Sequence, residues 1–145
     1  MIRFALIPTI SLAALFVFVP ARADATSCED VDLYISTASS VSASDQAAAY
    51  VLAGNVAFAC GVESHPNTPQ ETRAYRTAGD QYMRAAELLA GEQDKPSRFA
   101  YYYLAYNAYG AAVASNKRSQ LYPDDELRQA ESHARQLARA YRSWV

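Results

Sequence analysis

Side chains able to do chemistry are sparse in this sequence, and their spacing limits what they can do. There are two histidines, His65 and His133, and two cysteines, Cys28 and Cys60. A metal site needs three or four Cys, His or carboxylate ligands brought together. Cys28, Cys60, His65 and Glu63 form one such set, and Met83 with a histidine is the corresponding haem pair. Two thiols in an exported chain oxidise more readily than they hold metal, so the expectation is a Cys28–Cys60 disulfide with no metal and no cofactor. Asp80 and Glu87 lie two helical turns apart, a spacing at which carboxylates can converge on a groove. Arg76 and Arg84 stand within one turn of them and predict outward ion pairs instead. No Cys-x-x-Cys-His, Gly-rich phosphate loop or His-Glu-x-x-His occurs. Without a nucleophile, base and orienter at workable spacing, no residue is assigned as catalytic and no enzyme is expected.

The remaining polar chemistry belongs to tyrosines and amides. Five of the 11 tyrosines fall between Phe99 and Asn116, in FAYYYLAYNAYGAAVASN. At helical spacing this stretch is apolar nearly all round, with Asn107 as its interruption, and it predicts a central helix covered on more than one side. A core built of Tyr must bring its hydroxyls to water or to partners. Tyr82, Tyr102, Tyr106 and Tyr109 are therefore the candidate lining of a groove or pocket, and of the successive Tyr101, Tyr102 and Tyr103 at least one must face outward. Asn55 and Asn107, each the lone amide of an apolar helix, predict hydrogen bonds to backbone, to a tyrosine hydroxyl or to each other.

The elements that must position these groups are helices. Met1-Ile2-Arg3, the apolar run Phe4 to Val19 and Ala21-Arg22-Ala23 have the three parts of a secretory signal peptide, with the cut expected after Ala23. Residues 24–145 then form a single domain. Loss of Arg3 and Arg22 leaves 11 basic against 15 acidic side chains, a net charge of about −4. The charges are unevenly placed. Asp24, Glu29, Asp30, Asp32, Asp45, Glu63 and Glu71 are accompanied by no Lys or Arg up to Thr72. That polarity steers a basic partner to the N-terminal half, whereas the lack of a long basic cluster argues against nucleic acid.

Ser27 followed by Asp30 predicts a helix start, and the run Ser39-Ser40-Val41-Ser42 predicts its break. A second helix is expected from Asp45 to Cys60, capped by Ser42 or Ser44 and stopped by Gly61. It is uncharged from Gln46 to Val62, but its Ala and Gly content is too weakly hydrophobic for a membrane span. Antiparallel pairing of these two helices sets Cys28 beside Cys60. Thr68-Pro69-Gln70-Glu71 is a complete start signal, with Thr68 as the cap and Glu71 closing the box. It opens a helix expected to reach Ala90 and stop at Gly91. Pro96 opens the aromatic helix, and Pro123 with Asp124, Asp125 and Glu126 opens the last one, whose inward stripe is Leu127, Ala130, Ala134, Leu137, Ala138 and Tyr141. The fold class is therefore all-α: about five helices in antiparallel hairpins, as a repeat-like array or an irregular bundle, with one disulfide.

Two resemblances accompany this reading. Gly79-Asp80-Gln81-Tyr82 looks like the Gly-x-x-Tyr of the first helix of a tetratricopeptide-type repeat, and Ala105 through Tyr109 to Ala112 looks like its second helix. Over these roughly 40 residues the resemblance implies protein binding without chemistry. Cys28-Glu29-Asp30 near the start of a small exported helical protein resembles acid-stress chaperones of the bacterial periplasm. The expected function is that of a periplasmic or secreted protein that binds another protein, as an inhibitor, immunity protein or scaffold. Its candidate face comprises the four tyrosines with Glu29, Asp30 and Asp32. The alternative is a small-molecule carrier with a tyrosine-lined pocket.

Overall fold

The computed structural model describes residues 27–142; the expected leader and its cut after Ala23 lie outside them. Five α-helices follow one another, and no strand occurs among the described residues. They are α1 (Ser27–Ser40), α2 (Ala43–Glu63), α3 (Pro69–Glu87), α4 (Lys95–Ser119) and α5 (Asp124–Tyr141), with a 3₁₀ turn at Glu92–Asp94 leading into α4. The all-α fold and the Cys28–Cys60 disulfide are those expected, with the two cysteine Cα atoms 4.5 Å apart. No described helix is long and apolar enough to cross a membrane.

Helix starts follow the sequence signals closely. Thr68 Oγ1 accepts the Glu71 N–H at 3.3 Å, and Pro69 fills the first position of α3. Glu71, however, reaches past Thr68 to accept the Asn67 N–H. Asn67 makes this possible by adopting φ 61, a left-handed conformation that Asn tolerates. The serine run breaks the helix as expected, α1 ending at Ser40 and α2 beginning at Ala43, while the hydroxyls of Ser36, Thr37, Ser39 and Ser40 fold back onto carbonyls three or four residues earlier. The later helix ends depart from the sequence signals. Gly61 is no stop. It lies inside α2 with the Tyr75 ring against it, so that a Cβ there would stand 2.5 Å from Tyr75 Cε1. α3 ends at Glu87, short of Gly91, and the Gly91 N–H bonds the Asp94 carboxylate at the 3₁₀ turn.

Each helix packs extensively only on its neighbours in the chain. The pairs are antiparallel. Tyr82 and Tyr75 of α3 lie on Gly54 and Gly61 of α2, Tyr109 of α4 lies on Gly79 of α3, and Tyr102 of α4 stacks on Tyr141 of α5 at 5.8 Å. On α2, α3 and α4 the stripe meeting the preceding helix and the stripe meeting the following one are about a third of a turn apart. Because neighbours run antiparallel, that repeated offset makes the chain zigzag. α1, α3 and α5 form one layer and α2 and α4 the other.

The aromatic helix α4 is consequently covered by α3 and α5 and open on its third side, where Tyr103 is 49 % exposed and Asn107 and Ala114 face solvent. The core is mostly alanine. Ala53, Ala57, Ala78, Ala85, Ala105, Ala108 and Ala134 are fully buried, bringing backbones close enough for tyrosine rings to lie on glycines.

Candidate interaction surface

The same device recurs at two successive helix interfaces. Tyr82 lays its ring on Gly54 and donates its hydroxyl to Asn55 Oδ1 at 2.7 Å. Tyr109 lays its ring on Gly79 and donates to Asp80 Oδ1 at 2.8 Å. In each case a Gly-Asx pair receives a tyrosine, the glycine admitting the ring and the Asx accepting the hydroxyl. Burial raises the Tyr82 hydroxyl to about 12. Burial, with the Asp80 charge and hydrogen bond adding to it, drives Tyr109 well above the ordinary phenol range. Asp80 itself is raised by desolvation, against the lowering pull of the Tyr109 hydrogen bond and of Arg76 and Arg84.

These contacts place the four candidate tyrosines apart. Tyr82, Tyr102 and Tyr109 are buried, in the α2–α3, α4–α5 and α3–α4 interfaces respectively, while Tyr106 is half-buried beneath the Arg135 guanidinium. The structure does not gather them on one exposed face. Gly79 and Tyr109, which belong to the two segments likened to a helical repeat, do meet.

The predicted ion pairs and amides are also rearranged. Arg76 does not turn back on Asp80 but pairs with Glu126 and covers the Tyr122 ring at 4.3 Å, tying α3 to α5. Arg84 lies over Tyr50 of α2. Asn55 and Asn107 are exposed, and Asn55 finds a tyrosine hydroxyl as one predicted option had it. The buried amides are Gln81 and Asn116, and Asn116 clamps the Tyr122 backbone through both its oxygen and its nitrogen. Sequence reasoning also missed a hydroxyl chain between α3 and α4. Ser119 and Thr72 are 2.7 Å apart, Thr72 and Ser115 2.7 Å, and Ser115 donates to Glu71 at 2.6 Å. Thr72 and Ser115 fall on the inward stripes of their helices, which was the available signal. The chain ends on the Glu71 carboxylate and latches α3 to α4.

Cys28 and Cys60 are consumed by the disulfide, and His65 and His133 are exposed. Among the described residues no group of three His, Cys, Asp or Glu could hold a metal ion.

The acidic candidates are more accessible. Glu29 and Asp32 are exposed and Asp30 half-buried, all on the first two turns of α1. Leu33 stands among them at 62 % exposure. Among the described residues α1 is the first helix and packs extensively only on α2, and its Leu33 and Thr37 are exposed. The opposite end differs: the outward side of α5 carries Arg128, Ser132, Arg135 and Arg139, all exposed, and no large apolar side chain. Compared with protein-family models, curated proteins and solved structures, the chain has no match.

Proposed function

We propose that this chain is an exported, non-catalytic module that binds a second protein bearing a basic surface, through the outer flank of α1. The observation carrying this reading is Leu33, 62 % exposed beside Glu29, Asp30 and Asp32, on a helix that among the described residues packs extensively only on α2. An apolar anchor beside a cluster of like charge suits a partner offering a nonpolar side chain flanked by Lys or Arg. The absence of Lys and Arg from Asp24 to Thr72 leaves nothing in this part of the sequence to oppose such a partner. A Cys28–Cys60 bridge beneath the same helix accords with export and with a rigid docking edge. An inhibitor, immunity or scaffold role fits a protein of this kind.

The test is a photo-crosslinking residue at position 33, compared with one at position 136 on α5, in the native cell envelope. A protein adduct is expected from position 33 and not from 136. The joint reversal Glu29→Lys, Asp30→Lys and Asp32→Lys is expected to weaken the captured partner's affinity at least about tenfold. Equal adducts from both positions, or an affinity indifferent to the reversal, would contradict the reading.

A further inference from the structure

A second surface, of opposite sign to the α1 flank and independent of it, lies along α5. Arg128, Arg135, Arg139 and Arg142 fall at intervals of seven, four and three residues, which sets them on one side of the helix over about 21 Å. All four are exposed, as are the uncharged Ser132 and Gln136 beside them. Glu131 is the one acid from Leu127 to Arg142, and it is half-buried with its carboxylate over Gly110 of α4. Arg128 is matched by Asp124. Arg135 lies over the Tyr106 ring, a contact that engages the guanidinium face and leaves its N–H donors available. Among the described residues no carboxylate pairs with Arg135, Arg139 or Arg142.

We propose that this arginine row seats α5 on the phosphate groups of an anionic membrane surface. Guanidinium groups bind phosphate oxygens bidentately, and a straight row one helix wide meets a plane of headgroups along its whole length. The row has no large apolar side chain. A protein partner would want such an anchor at the centre of its contact, and insertion into the acyl region would need one too, so the attachment is peripheral and electrostatic. Nucleic acid fits less well, because Tyr141, the one aromatic residue of α5, is half-buried on Tyr102 and offers no platform for a base. The choice of lipid phosphate also rests on the export proposed above, which brings the chain to a membrane surface. Glu29, Asp30 and Asp32 stand at the opposite end of the zigzag, and an anionic surface repels them. The chain is thereby oriented with α5 against the headgroups and Leu33 directed away from them.

Flotation of the purified, disulfide-intact chain lacking residues 1–23 tests this, with vesicles of phosphatidylcholine alone and of phosphatidylcholine containing about 30 % phosphatidylglycerol. Binding is expected to the anionic vesicles only, and to be lost between about 0.05 M and about 0.5 M salt as the charges are screened. The joint change Arg135→Gln, Arg139→Gln and Arg142→Gln should weaken it on the order of 100-fold, about fivefold for each charge, while leaving the melting temperature unchanged. A fluorescent label at Gln136 should be quenched by nitroxide-headgroup lipid in the same vesicles, and one at Leu33 should not. Because the vesicles hold no protein, these results stand or fall separately from the partner of α1. Equal binding to both kinds of vesicle, a triple variant that binds like the wild type, or quenching at Leu33 in place of Gln136 would overturn the proposal. So would a lack of vesicle binding, whether or not position 136 captures an acidic protein instead.

Discussion

Tyrosine does in this protein what leucine does in most helical cores, and the consequences are read at single residues. At Gly79 an added Cβ would stand 2.6 Å from Tyr109 Cε1, and the ring cannot retreat without breaking its bond to Asp80. Gly79→Ala should therefore destabilise by about 1–3 kcal/mol in denaturant unfolding, despite alanine's better helix propensity. Asp80 is the charged member of a pair whose neutral counterpart is Asn55. Because burial raises its pKa above the unfolded value, the folded state favours the protonated carboxyl. Wild-type stability from this group is fullest below pH ~3.8 and falls as pH rises through the raised folded value. Asp80→Asn keeps the acceptor for Tyr109 and removes the charge. Its melting temperature should exceed that of the wild type at pH 7 and converge with it at about pH 3.

At the level of elements, the disulfide holds the weakest helix. α1 packs on one neighbour and leaves Leu33 in solvent, so it has little apolar burial of its own. Closing 32 residues of chain contributes roughly 3.7 kcal/mol. Reduction should expose the amides of residues 28–40 to hydrogen exchange while those of α3 and α4 remain protected. Helix existence was legible because starts are local: Thr68-Pro69 and Pro123 with its acids announce themselves within four residues. Ends were less so. Gly61 reads as a stop, yet in α2 it is the bed for a ring that arrives from residue 75. Arg76 reads as the partner of Asp80 at four residues' distance, but Tyr109 already holds that carboxylate and Glu126 is reached instead. What a glycine or an arginine does depends on the neighbouring helix, which local spacing does not reveal.

At the level of the whole molecule, the zigzag explains why its surfaces differ. Two layers of helices that pack extensively only in chain order leave, among the described residues, two ends and two outer faces. α5 closes one end with arginines, whereas α1 leaves the other open with an apolar residue among acids. The acidic cluster was legible directly from sequence, since charge needs no fold to be counted. That Tyr82, Tyr102 and Tyr109 would be buried apart was not, because helical periodicity gives the direction of a side chain without naming the helix it meets.

A native mass spectrum of the protein captured from its own cell envelope, taken for the wild type and for the variant reversed at Glu29, Asp30 and Asp32, tests the binding role most directly. The account predicts the disulfide-linked chain carrying a second, basic protein, and the loss of that added mass in the variant. A bound small molecule in place of a protein, or a protein retained equally by the variant, would contradict it.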